Sequence, residues 1–383
     1  MLKSIQTAIM QLETHEWAVL YIFCVIYIFR IFYHFAFTGK VFFKKLKIAT
    51  GGMPLSLILT VRNEEKNISN YLPPVLEAKD AKFELIAVDD YSGDNSAILL
   101  GSLKEKYRHL KISSLNQEIL NSVKMAQNIA IKASEYDWIM VIPPSVSKFN
   151  PEWLQAVTSS LNHYSDIIVN YSNLEHTGSL FNILFRVEYF LQQIKSAGYI
   201  ANGLSFILTE ENVAFRKEKY YTSGGYRHKI SEPYANLELL INTFINKKST
   251  KINFDKKTTI FKNENIGALD FFDLLKKEIR IRKHLGFSKK AILTIEEFTE
   301  CIFLPLMATI YFIIPPLLPL LALLYILMIS TKLFIIKKAL KRLNESKLLL
   351  SSLICALFLP CLKLGYRFYY THFTLNKKCK SKR

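Results

Sequence analysis

Two long apolar runs constrain this chain more than any other feature. From Trp17 to Phe37 only Arg30 and His34 interrupt the apolar sequence. At about 1.5 Å per residue that run matches the roughly 30 Å hydrocarbon core of a bilayer, so it predicts a transmembrane helix. A signal peptide would show a shorter apolar core and a small-residue cleavage site, and neither stands around Phe35 to Gly39. The second run, Cys301 to Thr331, carries no charge and continues past Lys332 to Ile336. Pro315, Pro316 and Pro319 divide it, which predicts two spans, near 300–314 and 317–336, joined by a tight turn. A third stretch, Leu348 to Leu362, is shorter, holds Pro360 and has basic flanks, so it is expected to lie at the interface or to re-enter rather than cross.

Charge orients these segments. Glu13 and Glu16 precede the first run, whereas Lys40, Lys44, Lys45 and Lys47 follow it, and Lys337, Lys338, Lys341 and Arg342 follow the second. The positive-inside rule then predicts a multi-pass protein of the inner, cytoplasmic membrane with the intervening domain in the cytosol. Arg30, near the cytosolic end, is expected to snorkel. Fifty Lys and Arg against 32 Asp and Glu fit either nucleic acid or an anionic membrane face. The flanks of the apolar runs hold much of that excess, so membrane lipid is the expected partner and nucleic acid is not. Residues 38–300 contain no cysteine, and Cys24, Cys301, Cys355, Cys361 and Cys379 form neither a disulfide framework nor a zinc spacing. The chain thus divides into residues 1–38 with the first span, a domain over 39–297, a transmembrane hairpin over 298–336, and a basic loop, interfacial segment and basic tail over 337–383.

The domain opens with strand-like and helix-like segments in alternation: strands at 55–61, 83–88, 110–113 and 138–142, helices at 64–76, 96–107 and 122–134. Such alternation predicts an α/β fold, a mainly parallel sheet with helices on both faces and ligands at the carboxyl ends of the strands. After the first strand stands Arg62-Asn63-Glu64-Glu65, and after the second Asp89-Asp90-Tyr91-Ser92-Gly93-Asp94-Asn95-Ser96. Two adjacent carboxylates leaving a buried strand are costly unless donors meet them, and a base N–H or ribose hydroxyls are suitable donors. Ser92 and Asp94 read equally well as caps of the next helix.

These blocks resemble the opening of the inverting family 2 glycosyltransferases, and later ones match in order: Lys124 and Ala126 before Ile131-Lys132-Ala133, Asp137-Trp138-Ile139-Met140-Val141, Pro151-Glu152-Trp153-Leu154, Asn212-Val213-Ala214-Phe215-Arg216-Lys217 and Gly224-Gly225-Tyr226. The resemblance covers roughly residues 50 to 290. It implies a single nucleotide-diphospho-sugar transferase domain of the glycosyltransferase A type. By the same resemblance Asn63, Glu64, Asp89 and Asp90 would hold the nucleoside, uridine above all, and Lys124, Arg280 and Lys283 the diphosphate. It also implies an Asp-x-Asp pair holding Mg²⁺ or Mn²⁺, but the matching positions here are Pro143-Pro144-Ser145. No metal or other cofactor is therefore expected. The base block of the family corresponds to Tyr234-Ala235-Asn236-Leu237-Glu238-Leu239, with Glu238 as the local carboxylate and Glu232 as the other candidate. The family's Gln-x-x-Arg-Trp corresponds to Arg280-Ile281-Arg282-Lys283-His284, on a helix expected over 269–290 that reads equally as a basic face resting on anionic lipid. The chain is expected either to transfer a sugar with inversion in polysaccharide or glycoconjugate biosynthesis, or to be an inactive relative that binds nucleotide or acts as a scaffold beside an active transferase.

Overall fold

The computed structural model describes residues 10, 12–43, 52–79, 81–118, 120–227, 229–345 and 347–375. Lys44, Lys45, Lys47, Cys379 and the basic tail from Lys377 to Arg383, which enter the reading of orientation and cysteine use, lie outside the described residues.

Helix α1 (Thr14–Tyr33) runs on through a π-helical stretch, His34–Gly39, and a last turn, Lys40–Phe43. The domain follows with β1 (Leu55–Val61), α2 (Glu65–Leu76), β2 (Phe83–Asp89), α3 (Ser96–Lys106), β3 (Leu110–Ser114), α4 (Ser122–Ala133) and β4 (Trp138–Val141). These bounds fall close to those the sequence predicts. The period of two along each strand makes the layers: Leu57, Leu59, Leu85, Ala87 and Met140 enter one core with Ile68 and Leu72 of α2 and Leu100 of α3. Ile58, Ile86, Val88 and Ile139 enter another, against Ala126 and Ala130 of α4.

The chain continues through β5 (Val146–Phe149), α5 (Trp153–Ser160), β6 (Ile167–Val169), β7 (Ser172–Leu174), α6 (Leu180–Asn202), β8 (Val213–Arg216), α7 (Lys217–Thr222), α8 (Leu237–Phe244), β9 (Thr250–Ile252), β10 (Ile260–Lys262) and α9 (Ala268–Lys283). Among the described residues the strands form a seven-stranded sheet, ordered β3-β2-β1-β4-β8-β6-β9, and a three-stranded sheet, β5-β10-β7. Strands β1 to β4 are parallel, whereas β8 runs against both of its neighbours, so the large sheet is mixed. The strand order turns back between β1 and β4. That switch point opens a crevice at the carboxyl ends of β1, β2 and β4.

Helix α9 stops at Lys283, and after Leu285 and Gly286 a new helix, α10 (Phe287–Ile313), begins. The single helix expected over 269–290 is thus two, and α10 runs straight through the expected domain boundary at 297. A 3-10 turn, Pro315–Leu317, reverses the chain into α11 (Leu318–Leu343), and α12 (Leu349–Tyr369) follows. Among the described residues three helices are long and apolar enough to cross a membrane: Thr14–Phe43, Pro315–Leu343 and Leu349–Phe373.

Helices α1, α10 and α11 pack through Phe23, Phe303, Ile310, Leu321 and Met328. Arg30 does not snorkel: it is 2% exposed and its Nη2 lies 3.0 Å from Glu300, which Lys332 also reaches at 2.7 Å. Helix α12 is longer than the short apolar stretch suggests, because the cations that end the stretch turn inward. Lys363 meets Glu188 at 2.5 Å and Glu278 at 2.8 Å, and Arg367 pairs with Glu297. Leu348, Cys355 and Leu359 join the core of the domain, so one face of α12 lies along the domain. The link before it is anchored too: Glu345 accepts from Arg186 of α6 at 2.9 Å, from Tyr171 at 2.7 Å and from Asn173 at 2.5 Å.

Candidate functional site

The loops leaving β1 and β2 hold each other. Ser92 accepts from the Asn63 N–H, Ser96 from that of Glu64 and Asp94 from that of Glu65, while Gly93 and Asn95 donate back to Asn63 and Glu65. Asp94 also accepts from the N–H of Ser96, the first residue of α3, at 3.0 Å, although the N-cap itself is Asn95, and these bonds spend Asn63 and Ser92 as well. Asp89 and Asp90 differ. Both are buried, at 5% and 1% exposure. Asp89 accepts from the Ser92 N–H at 3.3 Å and Asp90 from the Ser122 hydroxyl at 2.6 Å. Each keeps one buried oxygen, Oδ1, with no hydrogen-bond partner.

The next residue, Tyr91, is half exposed, with φ at 55° in the left-handed region. A non-glycine residue there costs on the order of 1–2 kcal/mol, and such cost gathers at ligand sites. The sequence gives no sign of this strain beyond the acidic pair beside it. An open cleft continues from the β1 end, lined by Asn63, Glu64, Asp94, Asn263, Glu264 and Asp270. Burial pushes the Glu64 carboxyl up, and Glu264 and Asp94 add to the shift against the Asn67 hydrogen bond.

At the end of β4, Pro143, Pro144 and Ser145 supply no carboxylate. The Ser145 hydroxyl donates to Glu264 at 2.6 Å, and Glu211 bridges to Val141 beside it. Both carboxylates are already met by Lys262, whose Nζ lies 2.8 Å from Glu211 and 3.3 Å from Glu264. Hard divalent cations need anionic oxygens free to turn toward them. The residues present do not fit the metal that the resemblance implies.

The third part of the site centres on the loop between α7 and α8. Lys124 does not face the cleft: it is 2% exposed, and its ammonium donates to the carbonyls of Lys229 and Ile230, both at 3.1 Å, and of Glu232. Its three protons are spent on holding that loop, so the diphosphate role expected of it does not fit. Glu238 is sealed, with no exposure, and pairs with Lys277 at 3.0 Å, so it cannot reach an acceptor as a base. Its neighbour Glu210, on the turn before β8, accepts from Gln127 and from the Leu237 N–H. Burial pushes the Glu210 carboxyl well above the usual carboxylate range and Glu238 adds to this; burial opposes ionisation of Glu238, but Lys277 holds it below that range. A proton on Glu210 supplies the donor that Glu238 Oε2 otherwise lacks. The sequence reading missed Glu210 and Glu211, which look like solvated loop charges.

Glu232, the other candidate base, stays near the surface with Arg280 Nη1 and His284 Nε2 each 3.1 Å from its oxygens. Arg280 also donates to the Tyr370 hydroxyl at 3.2 Å. Arg282 is buried against Glu297 and Glu278, and Lys283 is exposed on the rim. The basic side of α9 is therefore largely committed to protein carboxylates rather than lying open to lipid. The structure brings Asn63, Glu64, Asp89 and Asp90 to one edge, leaves Lys283 exposed, and buries Arg280, Lys124 and Glu238 among protein partners.

Residues 56–218 match the family described as Glycosyl transferase family 2. No curated protein matches the chain. Among solved structures, the mannosyltransferase PcManGT from Pyrobaculum calidifontis, in complex with GDP-Man and Mn2+, shares 14% identity over 87% of this chain and 98% of its own, at a TM-score of 0.50. TarS 1-349 of S. aureus, in complex with UDP, shares 16% identity over 68% of this chain and 72% of its own, at 0.42. Glucosyl-3-phosphoglycerate synthase from Mycobacterium tuberculosis, in complex with Mn2+, UDP and its glucosylated product, shares 15% over 61% and 81%, at 0.41. The likeness to the mannosyltransferase concerns the fold, and it agrees with the topology around β1, β2 and β4. Residues 56–218, which carry the acidic strand ends, are thus the part of the chain that matches glycosyl transferase family 2.

Proposed function

We propose that the protein binds a nucleoside-diphosphate sugar at the β1–β2–β4 edge and passes the sugar, with inversion, to the hydroxyl of an acceptor at the membrane. One observation carries this reading. Asp89 and Asp90 each present a buried oxygen without a donor, at the strand ends where an α/β sheet takes its ligands. A base N–H or ribose hydroxyls meet that need, and Tyr91, the next residue, is half exposed. The relatives in complex with UDP, and with GDP-Man, support a nucleotide sugar as the ligand class, and we take uridine as the base. In transfer, the acceptor oxygen bonds to the sugar's anomeric carbon as the bond to the diphosphate breaks, and the electron pair leaves with the nucleoside diphosphate. In this reading Glu232, paired with Arg280 and beside His284, takes the acceptor's proton, and the exposed Lys283 meets the leaving charge. The acidic amino end and basic flanks of the membrane segments favour a cytosolic domain on the inner membrane.

A second reading, a nucleotide-binding scaffold without turnover beside an active transferase, is favoured by the enclosure of Glu238 and Lys124. Calorimetry on detergent-solubilised full-length protein tests the shared step. A carboxylate accepting from a ligand is worth about 1.5–3 kcal/mol, or roughly one to two decades of affinity. Wild type is expected to bind UDP, and Asp90→Asn to bind it at least several-fold more weakly. No nucleotide binding by wild type refutes both readings. Equal affinity of the variant refutes the role of the acidic pair, and release of UDP from a sugar-nucleotide panel separates enzyme from scaffold.

A further inference from the structure

At the end of β4 the chain supplies a cation of its own. Lys262 closes β10, where its backbone pairs with Val146 one residue after Ser145. Its side chain is 8% exposed, stands 5.6 Å over the Tyr189 ring and places Nζ between Glu211 and Glu264. The remaining oxygens of both carboxylates are held as well: Tyr189 donates to Glu211 at 2.8 Å and Ser145 to Glu264 at 2.6 Å. Taking an ammonium out of water costs several kcal/mol, and two anionic partners with a ring face offset it. Burial works against the charge, yet Glu211 and Glu264 hold the Lys262 pKa well above its usual value.

Without the ammonium, two carboxylates and a serine hydroxyl would face one another. Those are hard oxygen donors of the kind that Mg²⁺ and Mn²⁺ take. We propose that Lys262 is the resident cation of this site: its tethered ammonium fills the position at which these oxygens would gather a divalent ion, and nucleotide ligands bind here without metal. The substitution changes the local field. A divalent ion would balance Glu211 and Glu264, whereas one lysine leaves the trio with a net negative charge. Ligand binding then depends on the nucleoside end, at Asp89 and Asp90, more than on the diphosphate.

The clause on nucleotides rests on the function proposed above, and the experiment keeps the two apart. Mn²⁺ is titrated into full-length wild type and Lys262→Met, the free ion being followed by electron paramagnetic resonance. Methionine keeps an unbranched stem over Tyr189 and removes the charge. The variant is expected to gain a saturable Mn²⁺ site at least tenfold tighter than any in wild type, and adding Glu264→Gln is expected to abolish the gain. A folded Lys262→Met protein with no such gain overturns the proposal, and so does a saturable wild-type site that Glu264→Gln removes. If the variant does not fold, the wild-type titration and its Glu264→Gln control decide. UDP binding by wild type is expected to change less than twofold on adding a chelator, and loss of binding overturns the proposal. Should wild type bind no UDP at all, the functional reading falls while the Mn²⁺ comparison still decides the role of Lys262.

Discussion

Glu210 shows how a single proton enters the stability of this fold. With its pKa raised, the folded chain holds a proton there that the unfolded chain releases above about pH 4.5. The folded state therefore binds more protons as pH rises through that window, and stability falls by at most about 1.4 kcal/mol per pH unit from this group. Thermal unfolding between pH 5 and pH 8 is expected to show a flatter decline for Glu210→Gln than for wild type, because glutamine keeps a donor for Glu238 without the titration. Parallel declines refute the shared proton. At this scale the sequence is readable where chemistry sits at a strand end, as at Asp89 and Asp90. It is silent on Glu210, Glu211 and Lys262, which meet across strands and loops that the sequence does not bring together: Gln127 meets Glu210 across 83 residues and Lys262 meets Glu211 across 51. Lys124 and Glu238 misled for the same reason, since the carbonyls and the lysine that occupy them come from distant segments.

Among the elements, α6 depends on one position. A Cβ on Gly198 would lie 1.2 Å from the Phe37 carbonyl oxygen, in the π-helical stretch after α1. The same contact is pinned by Asn202, which donates to the Ala36 carbonyl at 2.7 Å and accepts from Lys40 at 2.5 Å. Gly→Ala inside an open helix stabilises by about 1 kcal/mol. Here the sign is expected to reverse, with Gly198→Ala lowering the thermal midpoint by several degrees as α1 is forced off α6. An unchanged or raised midpoint would show that the two helices are not docked through this residue. The first half of the domain was legible because its strands are long and apolar and its helices periodic. Helix α6 was not, since Arg186, Glu188, Gln192 and Gln193 are all buried and break the apolar period. Strands β5 to β10 are too short, at three or four residues, for alternation to declare them.

For the whole molecule, the long apolar helices and the domain pack as one unit. The apolar lengths of α1 and of the proline-turned hairpin stand in the sequence, but the contacts of α12 do not, because they depend on carboxylates of α6, α9 and α10. A chain ended after residue 297 would lose α12 from the core and Glu345 from Arg186. Removing one partner of a buried ion pair costs about 3–5 kcal/mol. Such a chain is expected to aggregate on expression while the full-length protein purifies in detergent, and a monodisperse, cooperatively folded 1–297 fragment would contradict this. The Arg186–Glu345 pair also sets a clock. Its partners are 159 residues apart, so at roughly 5–20 residues per second the arginine leaves the ribosome about 8–30 s before its glutamate. During that interval α10 and α11 are made, so the domain is completed only after both of these helices have left the ribosome.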